Sequence, residues 1–116
     1  MIRLLGFLIL MCVATTSLSV TRALNTTVTS TLSDISKFGG CMAYLQDRPD
    51  GVGLDCPGKF VTFSCTGDFA GKDAAKRNFE MAQIAYLTSR KVRVYVDDTK
   101  KHNGYCLASR IDLLPQ

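Results

Sequence analysis

The side chains of this sequence that could do catalytic or metal chemistry lie in one short polar segment. Asp97 and Asp98 precede His102, the single histidine of the chain, and carboxylates together with an imidazole are competent ligands for a divalent cation. The segment 97–104 has the composition of a polar turn, in which such groups are commonly just solvated. The sequence lacks a G-x-S-x-G turn, a P-loop, a Rossmann glycine pattern and an H-E-x-x-H motif. We therefore predict a protein that is not an enzyme and has no metal site or cofactor; the alternative is a small hydrolase or metalloprotein that uses these three residues.

Four cysteines follow the apolar N-terminal stretch of the chain: Cys41, Cys56, Cys65 and Cys106. An even number of cysteines in a short exported chain predicts two disulfides, for which three pairings exist. If residues 35–46 and 60–65 form an antiparallel hairpin, Cys41 lies opposite Ser64 or Cys65, depending on the register. The hairpin favours a Cys41–Cys65 bridge and leaves Cys56 for Cys106. Zinc is the rival reading, but the sequence contains no C-x-x-C pair and only one histidine.

The N-terminal residues have the order of parts of a signal peptide. The short basic start 1–3 leads into the apolar run 4–14 and then into small polar residues. This run is well short of the roughly 20 residues that span a bilayer, so we predict cleavage and no membrane span. Residues 1–23 are the predicted signal peptide, because a signal peptidase reads small residues such as those at positions 21 and 23. Leu24 is the preferred mature N-terminus, and Val20 is the other candidate.

The remaining residues, 24–116, make one domain with little net charge. Loss of Arg3 and Arg22 leaves 12 of the 14 Lys and Arg, against 10 Asp and Glu. A nucleic-acid-binding protein normally has a basic face or stripe, so this balance argues against nucleic acid as a partner. A domain of this size buries somewhat more than about 60% of its unfolded surface, so its core is thin. We predict a single disulfide-stapled domain that is secreted or periplasmic.

Hydrophobic periodicity predicts an α+β fold in the order strand, strand, helix, strand, strand. The predicted strands are 35–46, 60–63, 92–96 and 105–113, and the predicted helix is 71–89. The antiparallel sheet or small barrel thus has one helix between its second and third main strands. Residues 24–34 are rich in Thr and Ser and suit either a loose leader or an edge strand. The first strand is apolar on both faces, so we expect it to be covered on both sides.

The predicted helix is apolar on two sides. One stripe repeats at intervals of four, three and four residues and should lie on the sheet: Ala75, Phe79, Ala82 and Tyr86. Met81, Ile84 and Leu87 lie away from that stripe. Scattered apolar residues occur on any protein surface, but a contiguous exposed apolar patch commonly marks a contact site. These three residues are therefore the candidate oligomer interface.

Tyrosines with charged neighbours are the main signal for binding. In residues 92–96 the alternation turns the valines inward and places Arg93 and Tyr95 outward. Tyr44 lies in the first predicted strand, and a tyrosine offers a flat apolar ring with a hydroxyl at its tip. Sugars and protein partners both use such mixed surfaces, although tyrosines in a small β-rich domain also serve as core or rim packing. Tyr86 and Tyr105 offer surfaces of the same kind. The candidate ligand-binding residues are Tyr44, Arg93 and Tyr95.

Short motifs give the sequence a family resemblance. They are Cys41 with Phe60-Val61-Thr62-Phe63-Ser64-Cys65, the helix end Ala82-Gln83-Ile84-Ala85-Tyr86-Leu87-Thr88, and the strand Val92-Arg93-Val94-Tyr95. In these motifs the chain resembles the receptor-binding B subunits of subtilase-cytotoxin type in pentameric bacterial AB toxins. The resemblance implies an OB-like fold, a five-membered ring whose helices face a central pore, and binding of sialylated or related glycans. No glycan-contacting residue of that family is carried over to this sequence.

The chain is also similar to a group of small uncharacterised secreted bacterial proteins. The matching segments are Lys37-Phe38-Gly39-Gly40-Cys41-Met42 and the run from Val96 to Cys106. This second similarity implies no function. Together, the residues and the resemblance predict a secreted module that binds a glycan or a protein surface, as a homo-oligomer. The alternative is a non-catalytic structural or interaction subunit of a secreted or periplasmic complex, without sugar affinity.

Overall fold

A computed structural model describes residues 20–116, which form a closed five-stranded β-barrel with one helix. The strands are β1 (Thr21–Ser33), β2 (Cys41–Leu45), β3 (Phe60–Thr62), β4 (Lys91–His102) and β5 (Tyr105–Leu113), and the helix is α1 (Lys72–Thr88). Around the barrel the order is β1-β2-β3-β5-β4, and β4 closes onto β1. Neighbouring strands are antiparallel except β3 and β5, which run parallel at Thr62 and Leu107. The predicted α+β class is confirmed.

The helix lies later in the strand order than predicted, because the Thr-rich segment 21–33 is a full strand. β1 pairs with β2 on one side and with β4 on the other. Leu24, Thr26 and Val28 alternate toward the interior and are only 6%, 4% and 6% exposed. Since β1 is the first strand, α1 lies between the third and fourth strands and not between the second and third. The prediction that this segment is an edge strand or a loose leader is wrong, because β1 has a partner strand on both sides.

The first predicted strand begins six residues later than expected, at Cys41. In the connection 34–40, the Asp34 carboxylate accepts hydrogen bonds from the backbone N–H groups of Ser36 and Lys37, at 2.9 and 2.8 Å. These bonds stabilise the ionised carboxylate and hold the pKa of Asp34 below its usual value. The N–H of Asp34 donates to the carbonyl of Gly40 at 2.9 Å and closes the connection. Local side-chain capping of this kind competes with strand pairing.

The helix covers the barrel core with small side chains. Three alanines of α1 are at most 1% exposed: Ala75, Ala82 and Ala85. Phe79 packs beside Phe63 of the core, with ring centroids 6.1 Å apart. Tyr86, which the periodicity places on the same stripe, is 46% exposed, so the buried face is turned toward Ala85. Because alanine side chains are small, the helix lies closer to the packed core than it could with a tyrosine ring between them.

Two disulfides staple the barrel in the pairing that the hairpin favours. Cys41–Cys65 joins the start of β2 to the turn after β3, and Cys56–Cys106 joins the long loop before β3 to β5. The sequence separations are 24 and 50 residues. Closing loops of such lengths stabilises a fold by about 3 to 4 kcal/mol each. Two disulfides are consistent with a secreted or periplasmic location, because such compartments are oxidising.

Residues 1–19, most of the predicted signal peptide, lie outside the described residues. Residues 21–23, also assigned to that peptide, form the start of β1 and pair with β4: Thr21 with Asp97, Arg22 with Val96 and Ala23 with Tyr95. In addition, Nη1 of Arg22 donates to the carbonyl of Val52 at 3.1 Å. Within residues 20–116, no helix has the length and apolar character required to cross a membrane.

Candidate ligand-binding face

Four aromatic rings lie in one row on the outside of the barrel, in the order Phe38, Tyr105, Phe60 and Tyr44; we call them the aromatic strip. Successive ring centroids are 5.8, 5.7 and 4.7 Å apart, and each pair meets edge to face. Such pairs are favoured by the ring quadrupoles and contribute about 0.5–1.5 kcal/mol beyond area burial. All four residues are half-buried. The strip is therefore an apolar surface whose rings support one another by edge-to-face contacts and remain partly accessible to solvent.

Strand pairing accounts for Tyr44 and Phe60, whereas a loop supplies Phe38 and the start of β5 supplies Tyr105. Tyr44 of β2 lies opposite Phe60 of β3. Their neighbours Ala43 and Val61 belong to the core and are 0% exposed, so the alternation of the strands turns both rings outward. Phe38 comes from the β1–β2 connection, and Tyr105 begins β5 directly after the β4–β5 turn.

A small second layer supports the strip from outside the barrel core. Met42, Thr62 and Leu107 alternate with core residues and so point outward, yet they are at most 2% exposed. The β1–β2 connection lies over this layer, where Oγ1 of Thr62 donates to the carbonyl of Phe38 at 2.6 Å. This hydrogen bond holds Phe38 in place. The first predicted strand is thus covered on both faces at Cys41, Met42 and Ala43, whereas Tyr44 on its outer face still reaches solvent.

A pocket of about 490 Å³ lies near the Tyr44 end of the strip. We call it the polar pocket after six of its lining residues, although Leu24, Gly51 and Val52 also line it. Its polar wall includes Asn25, Gln46, Asp47, Arg48, Asp50 and Lys59. The backbone brings pocket and strip together, because the N–H of Leu45, next to Tyr44, donates to the carbonyl of Lys59 at 2.8 Å. Lys59 in turn directly precedes Phe60.

Two of the four charged residues that line this pocket, Arg48 and Asp50, pair with each other. Nε and Nη2 of Arg48 donate to the Asp50 carboxylate at 2.9–3.1 Å. The hydrogen bond raises the pKa of Arg48 and lowers the pKa of Asp50, because each charge stabilises the other. Arg48 and Asp50 thus form an ion pair within the pocket wall.

The three candidate ligand-binding residues from the sequence do not form one site. Tyr44 is in the strip, whereas Arg93 and Tyr95 lie on β4, and β1 stands between β2 and β4. Nε of Arg93 donates to Oδ1 of Asn25 at 3.1 Å, so this arginine reaches the edge of the polar pocket. The ring of Tyr95 packs against the Arg110 guanidinium, whose central carbon is 4.8 Å from the ring centroid. Tyr95 therefore belongs to a separate surface.

His102 is not a solvated turn residue, contrary to the prediction. Its side chain is 15% exposed, and its Nε2 lies 2.9 Å from Oγ of Ser64 and 3.8 Å from Oδ2 of Asp68. A catalytic Ser-His-Asp triad needs the acid on the other ring nitrogen and a nucleophile that substrate can reach. Here both groups face the same nitrogen, and Ser64 is 0% exposed, with its Oγ also accepting from the N–H of Phe69 at 3.1 Å. The arrangement ties the turn after β3 to the β4–β5 hairpin.

The two carboxylates next to this histidine in sequence have separate structural roles. Oδ1 of Asp97 accepts from the N–H and the hydroxyl of Thr99, at 2.9 and 2.6 Å. Oδ2 of Asp98 accepts from the N–H of Asp55 at 3.3 Å. Within residues 20–116, no group of three or more His, Cys, Asp or Glu side chains is placed to hold a metal ion. The alternative site of Asp97, Asp98 and His102 is therefore not assembled.

The candidate oligomer interface lies on the outer side of α1. Ile84 and Leu87 are 46% and 79% exposed, and Met81 is half-buried. Met81 and Ile84, together with Ile111 of β5, line a hollow of about 410 Å³. Ile84 and Leu87 are thus exposed on this side of the helix, whereas Met81 also packs against the barrel core.

The sequence analysis does not consider Phe38 or Phe60 for ligand binding, and it counts Tyr105 among the tyrosines that offer a binding surface without choosing it as a candidate. The hairpin register could have identified Phe60, since it lies opposite Tyr44. Phe38 and Tyr105 come together only because the β1–β2 connection meets the β4–β5 hairpin, and no local pattern signals that contact. No family model matches this chain, and neither a curated protein nor a solved structure matches it.

Proposed function

We propose that this protein is a secreted or periplasmic, non-catalytic binding module of OB-like fold that recognises a glycan through the aromatic strip. The barrel order β1-β2-β3-β5-β4, with α1 between β3 and β4, supports the OB-like assignment. OB-folds bind oligonucleotides and oligosaccharides on the face of strands 2 and 3, flanked by the loops between strands 1 and 2 and between strands 4 and 5. The aromatic strip lies on this face, on the β1–β2 connection and at the start of β5, directly after the β4–β5 turn. Its position is the observation that carries the proposal.

A glycan suits this surface better than a nucleic acid does. Sugar rings present apolar C–H faces together with hydroxyl groups, and ligand sites of this kind combine aromatic walls with a few polar groups. The strip supplies the rings, and the adjoining pocket supplies the hydrogen-bonding side chains. A single-stranded nucleic acid would require a positively charged groove beside the rings. Here Arg48 is neutralised by Asp50, and Lys101 pairs with Asp55 at 3.2 Å.

A glycan array followed by calorimetric titration of a bound glycan tests the proposal. Tyr44→Leu and Phe60→Leu keep apolar volume but remove the rings, so we expect affinity to fall by about tenfold, the equivalent of one lost aromatic contact. Tyr95→Leu is the matched control, because Tyr95 is also a half-buried outer tyrosine but lies off the strip. Absence of glycan binding, or equal losses in all three variants, would contradict the proposal.

An interaction subunit that assembles through α1 is the second candidate function. The exposed Ile84 and Leu87 favour it, since contiguous exposed apolar surface commonly marks a contact site. If the protein is an oligomer, a pentamer by its resemblance to toxin B subunits, Leu87→Glu should dissociate it. Sedimentation velocity measures the outcome, with Gln83→Glu on the same helix as the control. An unchanged mass for Leu87→Glu would exclude this face as the interface.

A further inference from the structure

The two disulfides differ in their access to solvent. Cys56 and Cys106 are 2% and 0% exposed, so both ends of this bridge are buried. Cys41 is likewise 1% exposed, but its partner Cys65 is only partly buried. A thiolate exchanges with a disulfide by attacking one of its sulfur atoms, and the rate depends on access to that atom. Among the four cysteines of residues 20–116, Cys65 is therefore the one most open to a reagent in solution.

A cavity of about 610 Å³ leads to the Cys41–Cys65 bridge, and both cysteines line it. The β1–β2 connection, the turn after β3 and one side of α1 form its other walls. The charged residues of this lining balance, with two cations and two carboxylates: Lys72, Lys76, Asp34 and Glu80. No excess of negative charge in the lining therefore repels a thiolate, and access decides whether it reacts.

The backbone around Cys65 remains hydrogen-bonded without the bridge. The N–H of Phe63 donates to the carbonyl of Cys41 at 3.0 Å, on one side of Cys65. On the other side, the N–H of Thr66 donates to the carbonyl of Gly39 at 3.0 Å. The second disulfide, with a sequence separation of 50 residues, is not involved. Opening of the Cys41–Cys65 bond is thus a local event that leaves the barrel closed.

We propose that Cys65 is a thiol–disulfide exchange site, which a small-molecule thiol reaches through this cavity. The thiolate attacks Sγ of Cys65 and forms a mixed disulfide there. The bond to Cys41 breaks, and Sγ of Cys41 leaves with the electron pair and takes up a proton from solvent. A second thiolate can attack the sulfur of the bound thiol, which releases that thiol as a disulfide and Cys65 as a thiolate. Two thiols are then oxidised and one cystine is reduced. The proposal does not depend on glycan binding.

The test treats the folded protein with reduced glutathione, a monothiol, and traps free thiols by alkylation at successive times. Peptide mass spectrometry then gives the opening rate of each disulfide. We expect Cys41–Cys65 to open at least about tenfold faster than Cys56–Cys106, with the glutathione adduct on Cys65, because the rate follows access. Urea below the unfolding transition should accelerate only Cys56–Cys106, since that bridge reacts after unfolding.

Lys76→Trp and Arg77→Trp form a matched pair, because they replace neighbouring exposed cations on α1. Lys76 lines the cavity, whereas Arg77 lines the separate hollow beside Ile111. Lys76→Trp narrows the cavity and should slow the opening of Cys41–Cys65 by about threefold or more, because it restricts access. Arg77→Trp should leave that rate unchanged. Equal opening rates of the two disulfides, an adduct on Cys41 in place of Cys65, or equal effects of the two variants would overturn the proposal.

Discussion

Gly39 lies against the ring of His102, so closely that a Cβ at Gly39 would stand 2.7 Å from Cδ2 of that ring. The two residues belong to the β1–β2 connection and the β4–β5 hairpin. Phe38 directly precedes Gly39, and Tyr105 pairs with His102 across the hairpin. This contact therefore sets the distance between the β1–β2 connection, which carries Phe38, and the β4–β5 hairpin, which carries Tyr105.

Gly39→Ala should destabilise the barrel by about 2 to 5 kcal/mol, through overpacking and a strained backbone together. Gly39 has φ +76°, and its added Cβ would also stand 2.6 Å from Oγ1 of Thr62. Gly104→Ala separates the two causes, because its φ is +86° but nothing lies within 4 Å of the added Cβ. Gly51→Ala, with open space and no left-handed φ, is the neutral control. In urea unfolding, the loss of unfolding free energy should be largest for Gly39→Ala, smaller for Gly104→Ala and smallest for Gly51→Ala. Equal losses for Gly39→Ala and Gly104→Ala would show that the close contact at Gly39 does not matter.

Asp34 should contribute stability that disappears in acid. Its pKa in the folded state is lowered from 3.8 by backbone hydrogen bonds, so its contribution is present above pH 3.8 and is lost as the pH falls through the lower folded value. Asp34→Ala should therefore be less stable than the wild type near neutral pH, and the difference should shrink below pH 3.8. Urea unfolding over an acidic pH series measures this. A difference that stays constant in acid would show that the ionised carboxylate has no role in the connection.

Removal of either disulfide should destabilise the protein strongly, and the longer loop should matter more. We expect a loss of about 4 kcal/mol when Cys56 and Cys106 are both replaced by Ala, and of about 3.5 kcal/mol for Cys41 and Cys65. Alanine is the suitable replacement, because Cys41, Cys56 and Cys106 are at most 2% exposed. Urea unfolding under oxidising conditions gives the two values. Four free thiols in the natural protein would remove the basis for this prediction.

The mature chain should begin at Val20 and not at Leu24, which revises the preferred cleavage site. A start at Leu24 deletes three paired residues of β1 and the hydrogen bond from Arg22 to Val52. It also removes the Val20 carbonyl that accepts from the N–H of Asp98 at 3.2 Å. Ser17 and Ser19 provide small residues for a peptidase that cuts before Val20. Intact-mass measurement of the exported protein checks the site, and a chain that starts at Leu24 should unfold at lower urea concentration than one that starts at Val20.

Local patterns were sufficient for much of the framework. The helix predicted at 71–89 is observed at Lys72–Thr88, and Val92, Val94 and Val96 are 0% exposed, as strict alternation predicts. These features depend on periods of 3.6 and 2 residues, which any short window of sequence contains. The candidate site was harder to predict. Of its four rings, only Tyr44 was a candidate, because a ring's place in the strip depends on its partners.

The sequence by itself determined the α+β class, the helix, the inward valines and the favoured disulfide pairing, since each follows from periodicity or from a single hairpin. Only the tertiary structure decided that Thr21–Ser33 is a barrel strand, that Phe38 meets Tyr105, and that His102 is buried against Ser64. The physical reason is that each of these outcomes requires partners from segments far apart in the chain. A polar or Thr-rich segment pairs, packs or stays solvated according to which of those partners the closed barrel brings to it.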